Sequence, residues 1–295
     1  MKFIESSFVK KMCEVTYESY LRYWDERNGG NVSCRLSAEE LVGYEDISEV
    51  RSSHELGFKA SDLAGQYYLV TGTGRYFRNV TKQPLLDLGL VRISNDGLSY
   101  DVVWGFEDGG RPTSEFPSHL MSHIERLKIN PAHRVIFHCH PTNLIALTFT
   151  QDLDERHLSR LLWKMQAESL VVFPEGVGLI PYMTPGTTEI GEATARKMGD
   201  FSAVVWPHHG LFASGNSLDE TYGLIEVIEK AAMIYSQIGA QGGRIKQDIS
   251  DNQLRELAAR FKVTPRKDFL LNVVITRRAY ALLFYNTLLV LNSLF

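Results

Sequence analysis

Two histidines end an apolar run in the stretch Val135-Ile136-Phe137-His138-Cys139-His140. The run predicts a buried β-strand. Because side chains alternate between the faces of a strand, the two imidazoles are predicted to project from one face and Cys139 from the other. Two neutral imidazoles supply two of the three protein ligands that a catalytic zinc takes. We interpret the stretch as half of a metal site; the alternative is a strand that merely ends in two histidines.

Length and composition describe an ordinary globular protein. The chain has 295 residues, 44% hydrophobic and 22% charged, enough to bury a core in one large domain or two small ones. A formal net charge of -4 and the lack of a basic block argue against a nucleic-acid partner. Three cysteines without a CxxC pair favour a reducing, cytoplasmic location. Residues 1–6 lack the apolar core of a signal peptide.

The hydrophobic pattern indicates a mixture of strands and helices. Strands are predicted at 32–36, 67–70, 90–93, 100–104, 134–138, 170–173 and 203–206. Helices are predicted at 8–26, 115–127, 143–149, 153–167, 189–198, 218–238 and 251–261. The two kinds of element are interspersed without a strict alternation, so we expect an α/β sandwich built on a mixed or antiparallel sheet. No repeat or low-complexity linker divides the chain, which predicts a single domain.

A second apolar run, at residues 203–206, is followed by Pro-His-His-Gly. Two strands that deliver imidazoles to the same edge of a sheet would form a three-histidine site with an open position, as in a catalytic zinc site. The pattern alone leaves open whether His208 or His209 is the third ligand. A competing pair, His119 and His123, has helical i,i+4 spacing but lacks the HExxH pattern of zinc-binding helices.

Two glycine-rich loops are candidates for anion binding. They read Asn28-Gly29-Gly30-Asn31 and Thr71-Gly72-Thr73-Gly74. Glycine permits tight turns whose N–H groups converge on an anion. Neither loop is a P-loop, and Phe77 occupies the position of the third glycine of a dinucleotide fingerprint. Taken singly, each loop could equally be a simple turn.

The segment Pro112-Thr113-Ser114-Glu115 precedes the predicted helix at 115–127. In one interpretation Thr113 or Ser114 caps the helix and Glu115 interacts favourably with its dipole. In the other, the helix N-terminus and the hydroxyls hold a phosphate while Glu115 acts as a base beside the metal.

Six segments, in order and with compatible spacing, resemble the class II aldolase family. They are WDERNGGN (24–31), VTGTGRYFRN (70–79), PTSE (112–115), HCHPTNLIALT (138–148), VVFPEGVG (171–178) and HGLFASG (209–215). The resemblance runs from about residue 8 to residue 265 and is specific because it rests on many segments. It implies an α/β fold, a single-domain three-layer sandwich with a central mainly antiparallel sheet flanked by helices.

The resemblance also implies roles for individual residues. His138, His140 and His209 match the ligands of one Zn²⁺ per subunit, and Glu115 matches the catalytic acid/base. Glu168 matches a second catalytic glutamate, which such enzymes contribute across a subunit boundary, and so implies a homotetramer. A phosphate pocket is implied at Asn28, Gly30, Asn31, Thr73, Gly74, Thr113 and Ser114. His208 departs from the family pattern, which has an aromatic residue at that position.

The activity implied by the resemblance is that of a zinc-dependent lyase. Such an enzyme cleaves L-rhamnulose 1-phosphate reversibly to dihydroxyacetone phosphate and L-lactaldehyde in L-rhamnose catabolism. The alternatives are a sugar-phosphate 4-epimerase, which shares the site and the retro-aldol step, and an aldolase for another ketose 1-phosphate such as L-fuculose 1-phosphate. A zinc hydrolase is disfavoured because no water-activating partner accompanies the loops. A non-catalytic binding protein is disfavoured because Glu115 and all three histidines are present.

The end of the chain differs in composition from the rest. We expect residues 1–269 to form the aldolase domain and residues 270–295 to form an unmatched apolar tail, interpreted as non-native. The last 17 residues carry no charge, which is short of the roughly 20 that span a bilayer as a helix. We therefore expect no membrane partner despite the apolar tail.

Overall fold

A single nine-stranded sheet organises the molecule. The structure is a computed structural model that describes residues 1–270. Within them the strands are β1 (Asn31–Leu36), β2 (Ser52–Glu55), β3 (Tyr67–Thr71), β4 (Leu88–Ile93), β5 (Ser99–Gly105), β6 (Val135–Cys139), β7 (Gly178–Leu179), β8 (Ala203–Trp206) and β9 (Gly210–Gly215). Their order is β2-β5-β4-β3-β1-β6-β9-β8-β7. The short β7 pairs parallel to β8 and every other neighbouring pair is antiparallel. The predicted mainly antiparallel sheet is confirmed.

Helices cover both faces of the sheet and complete three layers. They are α1 (Ser7–Leu21), α2 (Phe77–Val80), α3 (Pro84–Asp87), α4 (Phe116–Ile129), α5 (Thr142–Thr150), α6 (Glu155–Met165), α7 (Ala167–Val172), α8 (Thr188–Met198), α9 (Leu218–Ala240) and α10 (Asp251–Phe261). Helices α4 and α8 pack together on one face. On the other face α9 packs against α1, α5, α6 and α7. The apolar stripes of these helices cover the sheet on both sides, so strands β6 and β8 are buried along their whole length.

Strand β6 lies at the middle of the sheet, between β1 and β9. Val135, Phe137 and Cys139 point into the core beneath α1 and α9, whereas Ile136 packs on the opposite side with residues of α8. By the period-two alternation of a strand, His138 shares the face of Ile136. In register, His138 lies opposite Asn31 of β1 and Phe212 of β9. The centre of the sheet therefore delivers an imidazole into a fully buried position, as expected.

Several local predictions were wrong. The predicted strand at 170–173 is the end of helix α7, because a short apolar run does not distinguish a buried helix turn from a strand. The first helix ends at Leu21 rather than at residue 26, which leaves 24–31 free as a loop. Strands β2, β7 and β9 were not predicted.

The apolar tail cannot be compared with its prediction, because residues 271–295 lie outside the described part of the chain. Among residues 1–270, no helix combines the length and the apolarity needed to cross a bilayer.

Candidate active site

Three histidines converge where β6 ends beside the turn between β8 and β9. One ring nitrogen from each of His138, His140 and His209 lies within 4.8 Å of the others. The ring centroids are 4.9–5.0 Å apart in all three pairs. Among residues 1–270 this is the one group of three or more such side chains able to hold a metal ion. The structure thus brings together the three residues that the resemblance implied as ligands.

The turn between β8 and β9 separates His209 from its neighbour His208. His208 has a left-handed backbone, with φ of 62°, and its side chain is exposed. Its ring lies 4.2 Å from that of Phe149, and its Nδ1 is 3.2 Å from Thr148 Oγ1. Because the chain reverses here, only His209 faces the other two histidines.

Protein acceptors orient the first two rings. His138 Nδ1 donates to the carbonyl of Leu211 at 3.0 Å, and His140 Nδ1 donates to the carboxylate of Glu26 at 2.7 Å. In neutral rings this leaves an unprotonated Nε2 on each, and these two atoms lie 3.3 Å apart. Two lone pairs at that distance repel each other unless a cation lies between them. His209 Nδ1 is buried and has no hydrogen-bond partner in the described chain. The donor set therefore fits a metal ion of the kind that imidazoles bind.

Burial keeps the imidazoles of His138 and His209 in their neutral, ligating form. It lowers the pKa of His138 well below its ordinary value and lowers the pKa of His209 to about 4, and in both cases the neighbouring imidazoles add to the shift. A neutral imidazole is the form that binds a metal.

Glu115 lies beside this cluster, immediately before helix α4. Its Oε2 is 3.8 Å from His138 Nε2 and accepts a hydrogen bond from Asn31 Nδ2 at 2.9 Å. The residue is 8% exposed, and burial raises its pKa to about 7 although the bond from Asn31 opposes the shift. Glu115 itself occupies the N-cap position without a capping side-chain bond, so neither Thr113 nor Ser114 is the cap. The segment before α4 consequently presents its polar side chains to a cavity.

One cavity of about 200 Å³ collects the predicted phosphate-binding residues next to the histidines. Its turns are held by the backbone, since Thr73 N donates to the carbonyl of Arg111 and Gly72 bridges to Pro112. Gly74 has a φ of 69°, which favours glycine. The lining residues are Asn28, Gly29, Gly30, Asn31, Gly72, Thr73, Gly74, Thr113, Ser114, Glu115, His140 and His209. The structure thus brings together all seven implied phosphate contacts in one place.

A sequence model of the Class II Aldolase and Adducin N-terminal domain matches residues 10–236. The chain belongs to the class II aldolase family. It is 49% identical over 269 residues to the rhamnulose-1-phosphate aldolase of Listeria monocytogenes serotype 4a (strain HCC23), covering 91% of this chain and 98% of that protein. It is 46% identical over 278 residues to the rhamnulose-1-phosphate aldolase of Enterococcus faecalis (strain ATCC 700802 / V583), covering 94% and 99%.

A solved structure shares the fold of this class II aldolase. The sugar-phosphate aldolase from Thermotoga maritima superposes with a TM-score of 0.71 at 32% identity, covering 81% of this chain and 98% of that chain. The expectations of a class II aldolase fold and of an aldehyde-lyase are confirmed by these comparisons.

Glu168 does not join the other candidate residues of this class II aldolase within one chain. It is exposed near the start of α7 and lines a separate cavity of about 550 Å³ with Arg22, Thr142 and Gln166. A side chain that acts across a subunit boundary is expected to be exposed in the single chain.

Sequence reasoning missed two residues that shape the histidine cluster. Glu26 accepts a hydrogen bond from His140 Nδ1, and Gly29 packs directly against the same ring. Both lie in the quoted segment 24–31, so a signal for them was present. Neither could be assigned a partner, because the approach of this loop to His140 depends on the tertiary fold.

We expect Gly29→Ala to weaken metal binding. A Cβ at this position would lie 2.5 Å from His140 Cε1 and 2.8 Å from its Nδ1, so the ring must move away from Glu26. Changes to groups that support a metal ligand cost about 10–100-fold in metal affinity, and we expect a loss in that range. Zinc affinity is measured by competition with a chromophoric chelator.

The matched control is Gly223→Ala in helix α9, where an added Cβ would meet nothing within 4 Å. Equal zinc affinities for the two variants would contradict the contact between Gly29 and His140.

Proposed function

We propose that this class II aldolase is a zinc-dependent lyase that cleaves L-rhamnulose 1-phosphate reversibly to dihydroxyacetone phosphate and L-lactaldehyde, in L-rhamnose catabolism. The observation that carries the proposal is the placement of Glu115 beside three converging histidines, next to a cavity lined by Glu115, His140, His209 and the two glycine-rich loops. The printed names of relatives at 46–49% identity support the choice of substrate.

The metal would be one Zn²⁺ per subunit, held by His138, His140 and His209. The facing lone pairs of His138 and His140 and the unpartnered Nδ1 of His209 support this assignment. A zinc ion bound there would supply a Lewis acid for the ketone oxygen of the substrate. Glu26 would hold the orientation and the tautomer of the His140 ring by accepting a hydrogen bond from its non-ligating nitrogen.

The phosphate would lie against the two glycine loops and the start of α4. No lysine or arginine among residues 1–270 lines this cavity, so hydroxyls, amides and backbone N–H groups would supply the donors. The helix N-terminus adds a favourable partial positive charge. We assign phosphate binding to Asn28, Gly30, Asn31, Thr73, Gly74, Thr113 and Ser114. This binding would position the reacting carbons near Glu115.

Glu115 would move the proton at C3. When the C3–C4 bond breaks, its electron pair passes to C3 and is delocalised towards the C2 oxygen. The C4 hydroxyl gives its proton to water as the aldehyde forms. C3 gains a proton from the Glu115 carboxyl to give dihydroxyacetone phosphate, and the resulting Glu115 carboxylate is protonated again from water. In the synthetic direction Glu115 takes that proton back. Its burial beside His138 supports this role.

The second catalytic residue would be Glu168 of a neighbouring subunit in a homotetramer. Its exposure, in a cavity distinct from that of the histidines, supports a role across a subunit boundary. We further propose that residues 1–269 form the aldolase domain, which is supported by the match of the family to residues 10–236. The three free cysteines support a reducing, cytoplasmic location.

An assay of the purified protein with L-rhamnulose, L-fuculose and ribulose phosphates tests the proposal. We expect L-lactaldehyde from L-rhamnulose 1-phosphate, with loss of activity in a chelator and recovery with zinc. Release of aldehyde only from L-fuculose 1-phosphate would assign the other substrate. Inversion at C4 of a ketose phosphate without free aldehyde would identify a 4-epimerase instead.

A further inference from the structure

An unbroken line of hydrogen bonds runs from Glu115 through the interior of the protein. It passes between β1 and α4 and ends in the loop before β6. Its members, each bonded to the next, are Glu115, Asn31, His119, Ser33, His123 and His133. Asn31 and Ser33 share one face of β1, and His119 and His123 share one face of α4. The i,i+4 histidine pair is therefore explained by this line rather than by a metal.

The line is sealed from solvent. Ser33, His119 and His123 are 0% exposed, and His133 is 1% exposed. Burial lowers the pKa of His119 and of His133 to about 3 and lowers the pKa of His123 well below its ordinary value. All three rings are consequently neutral near pH 7, and each has one nitrogen that donates and one that accepts.

The direction of each bond follows from the side-chain amide of Asn31. Its Nδ2 donates to Glu115 at 2.9 Å, so its Oδ1 faces His119 Nε2, which must donate. His119 Nδ1 is then an acceptor, and Ser33 Oγ donates its only proton to it at 2.8 Å.

The remaining bonds follow in the same way. Ser33 Oγ can then only accept, and it does so from His123 Nε2 at 2.9 Å. His123 Nδ1 is left as an acceptor for His133 Nε2, at 2.9 Å. Every proton in the line therefore points towards Glu115, and every ring carries its proton on Nε2.

The far end of the line agrees with this direction. His133 Nδ1 is buried and has no hydrogen-bond partner in the described chain. In the direction derived above this atom is a bare lone pair. With every bond reversed it would be an N–H group without an acceptor, and orphaned buried N–H groups are rarer in proteins than unsatisfied acceptors.

We propose that His119, Ser33, His123 and His133 are positioning residues that lock the amide of Asn31 with its NH₂ group towards Glu115. The fixed amide orients the Glu115 carboxylate. The dipole of the Asn31 amide and those of the side chains further along the line all point their positive ends towards this carboxylate. The second N–H of Asn31 Nδ2 stays available to the phosphate pocket, because Glu115 accepts one of the two and His119 binds the Oδ1. The effect on catalysis rests on the proposed function, whereas the proton positions do not.

The proton positions are tested by magic-angle-spinning NMR of the zinc-loaded enzyme with ¹⁵N-labelled histidine, assigned with single His→Gln variants. We expect a protonated Nε2 and a bare Nδ1 on His119, His123 and His133 throughout pH 6–8. A protonated Nδ1 on any of the three rings would overturn the proposal. This measurement uses no substrate, so its result on the proton positions does not depend on the proposed reaction.

The positioning effect is tested by Ser33→Ala, which interrupts the line at its middle. We expect kcat for cleavage to fall about tenfold, as for outer partners of functional groups, with KM changed less than about twofold and zinc content unchanged. The matched control is Ser122→Ala, which removes a fully buried hydroxyl from α4, the helix that carries His119 and His123. This hydroxyl bonds to the carbonyl of Ser118 and is not part of the line. An equal kcat in the two variants would overturn the positioning role.

A conservative pair separates hydrogen bonding from packing. His119→Gln keeps an N–H donor within reach of Asn31 Oδ1, and His119→Phe keeps the ring without one. We expect the glutamine variant to retain several-fold more kcat than the phenylalanine variant. The reverse order would show that His119 acts by packing against Phe212, whose ring centroid lies 5.3 Å away.

Discussion

Glu115→Ala is expected to abolish proton exchange at C3 of dihydroxyacetone phosphate while the protein keeps its zinc. General acid–base groups contribute about 10²–10⁴-fold, so we expect the exchange rate and kcat for cleavage to fall within that range. Zinc should remain because Glu115 Oε2 lies 3.8 Å from His138 Nε2 and is not one of the three converging ligands. Exchange is followed by loss of the C3 proton signal in D₂O, and zinc by elemental analysis of the same samples.

The variant Glu115→Gln distinguishes the loss of the ionisable carboxyl group from the loss of side-chain volume. It keeps the shape of the carboxyl group but cannot take up a proton, so we expect it to be as inactive as Glu115→Ala. Glu155→Gln serves as the control, because Glu155 accepts from Leu179 N at the start of α6, away from the histidines. Normal exchange in Glu115→Gln would assign the proton transfer to another group.

The sequence predicted the continuously apolar strands of the sheet better than the others. Residues 134–138 and 203–206 were predicted as strands because they are largely apolar, and the structure has the wholly buried strands β6 (135–139) and β8 (203–206) there. Strand β2 lies at the sheet edge and β7 has only two residues, so neither leaves a hydrophobic pattern to detect. The run at 170–173 was misread because one helical turn and a short strand can both be wholly apolar.

The candidate site, like the fold, could be predicted from the sequence only in part. The pairing of His138 with His140 could be predicted from the local pattern, because residues two apart in a strand share a face. The choice of His209 over His208 came only from the family resemblance. In the structure it depends on a left-handed backbone at position 208, a conformation that is uncommon outside glycine and that the local sequence does not single out, although histidine is among the residues enriched in it.

The hydrogen-bond line behind Glu115 could not be predicted from the sequence. Its members come from β1, α4 and the loop before β6, and only the i,i+4 spacing of His119 and His123 was visible. That spacing suggested a metal, whereas Ser33 lies between the two rings in the folded chain. Which polar groups meet in a core is decided by the register of strands and helices.

His209→Ala is expected to remove most of the bound zinc, and His208→Ala to leave it in place. Removal of one of three ligands should cost more than about 100-fold in affinity, the upper end of the loss seen for outer partners of metal ligands. His208 is exposed and packs against Phe149, so its loss should change the surface of the turn and nothing at the metal. Zinc per subunit after dialysis against a fixed free-zinc buffer is the measurement.

The two adjacent variants control for each other, because they alter the same residue type in the same turn. Equal loss of zinc in both would show that the turn itself, rather than His209, holds the metal. Loss in His208→Ala alone would reverse the assignment of the third ligand. The predicted result, loss in His209→Ala alone, requires that the left-handed residue at 208 directs consecutive imidazoles to opposite sides of the chain. The zinc site would then depend on one backbone conformation as much as on the three imidazoles.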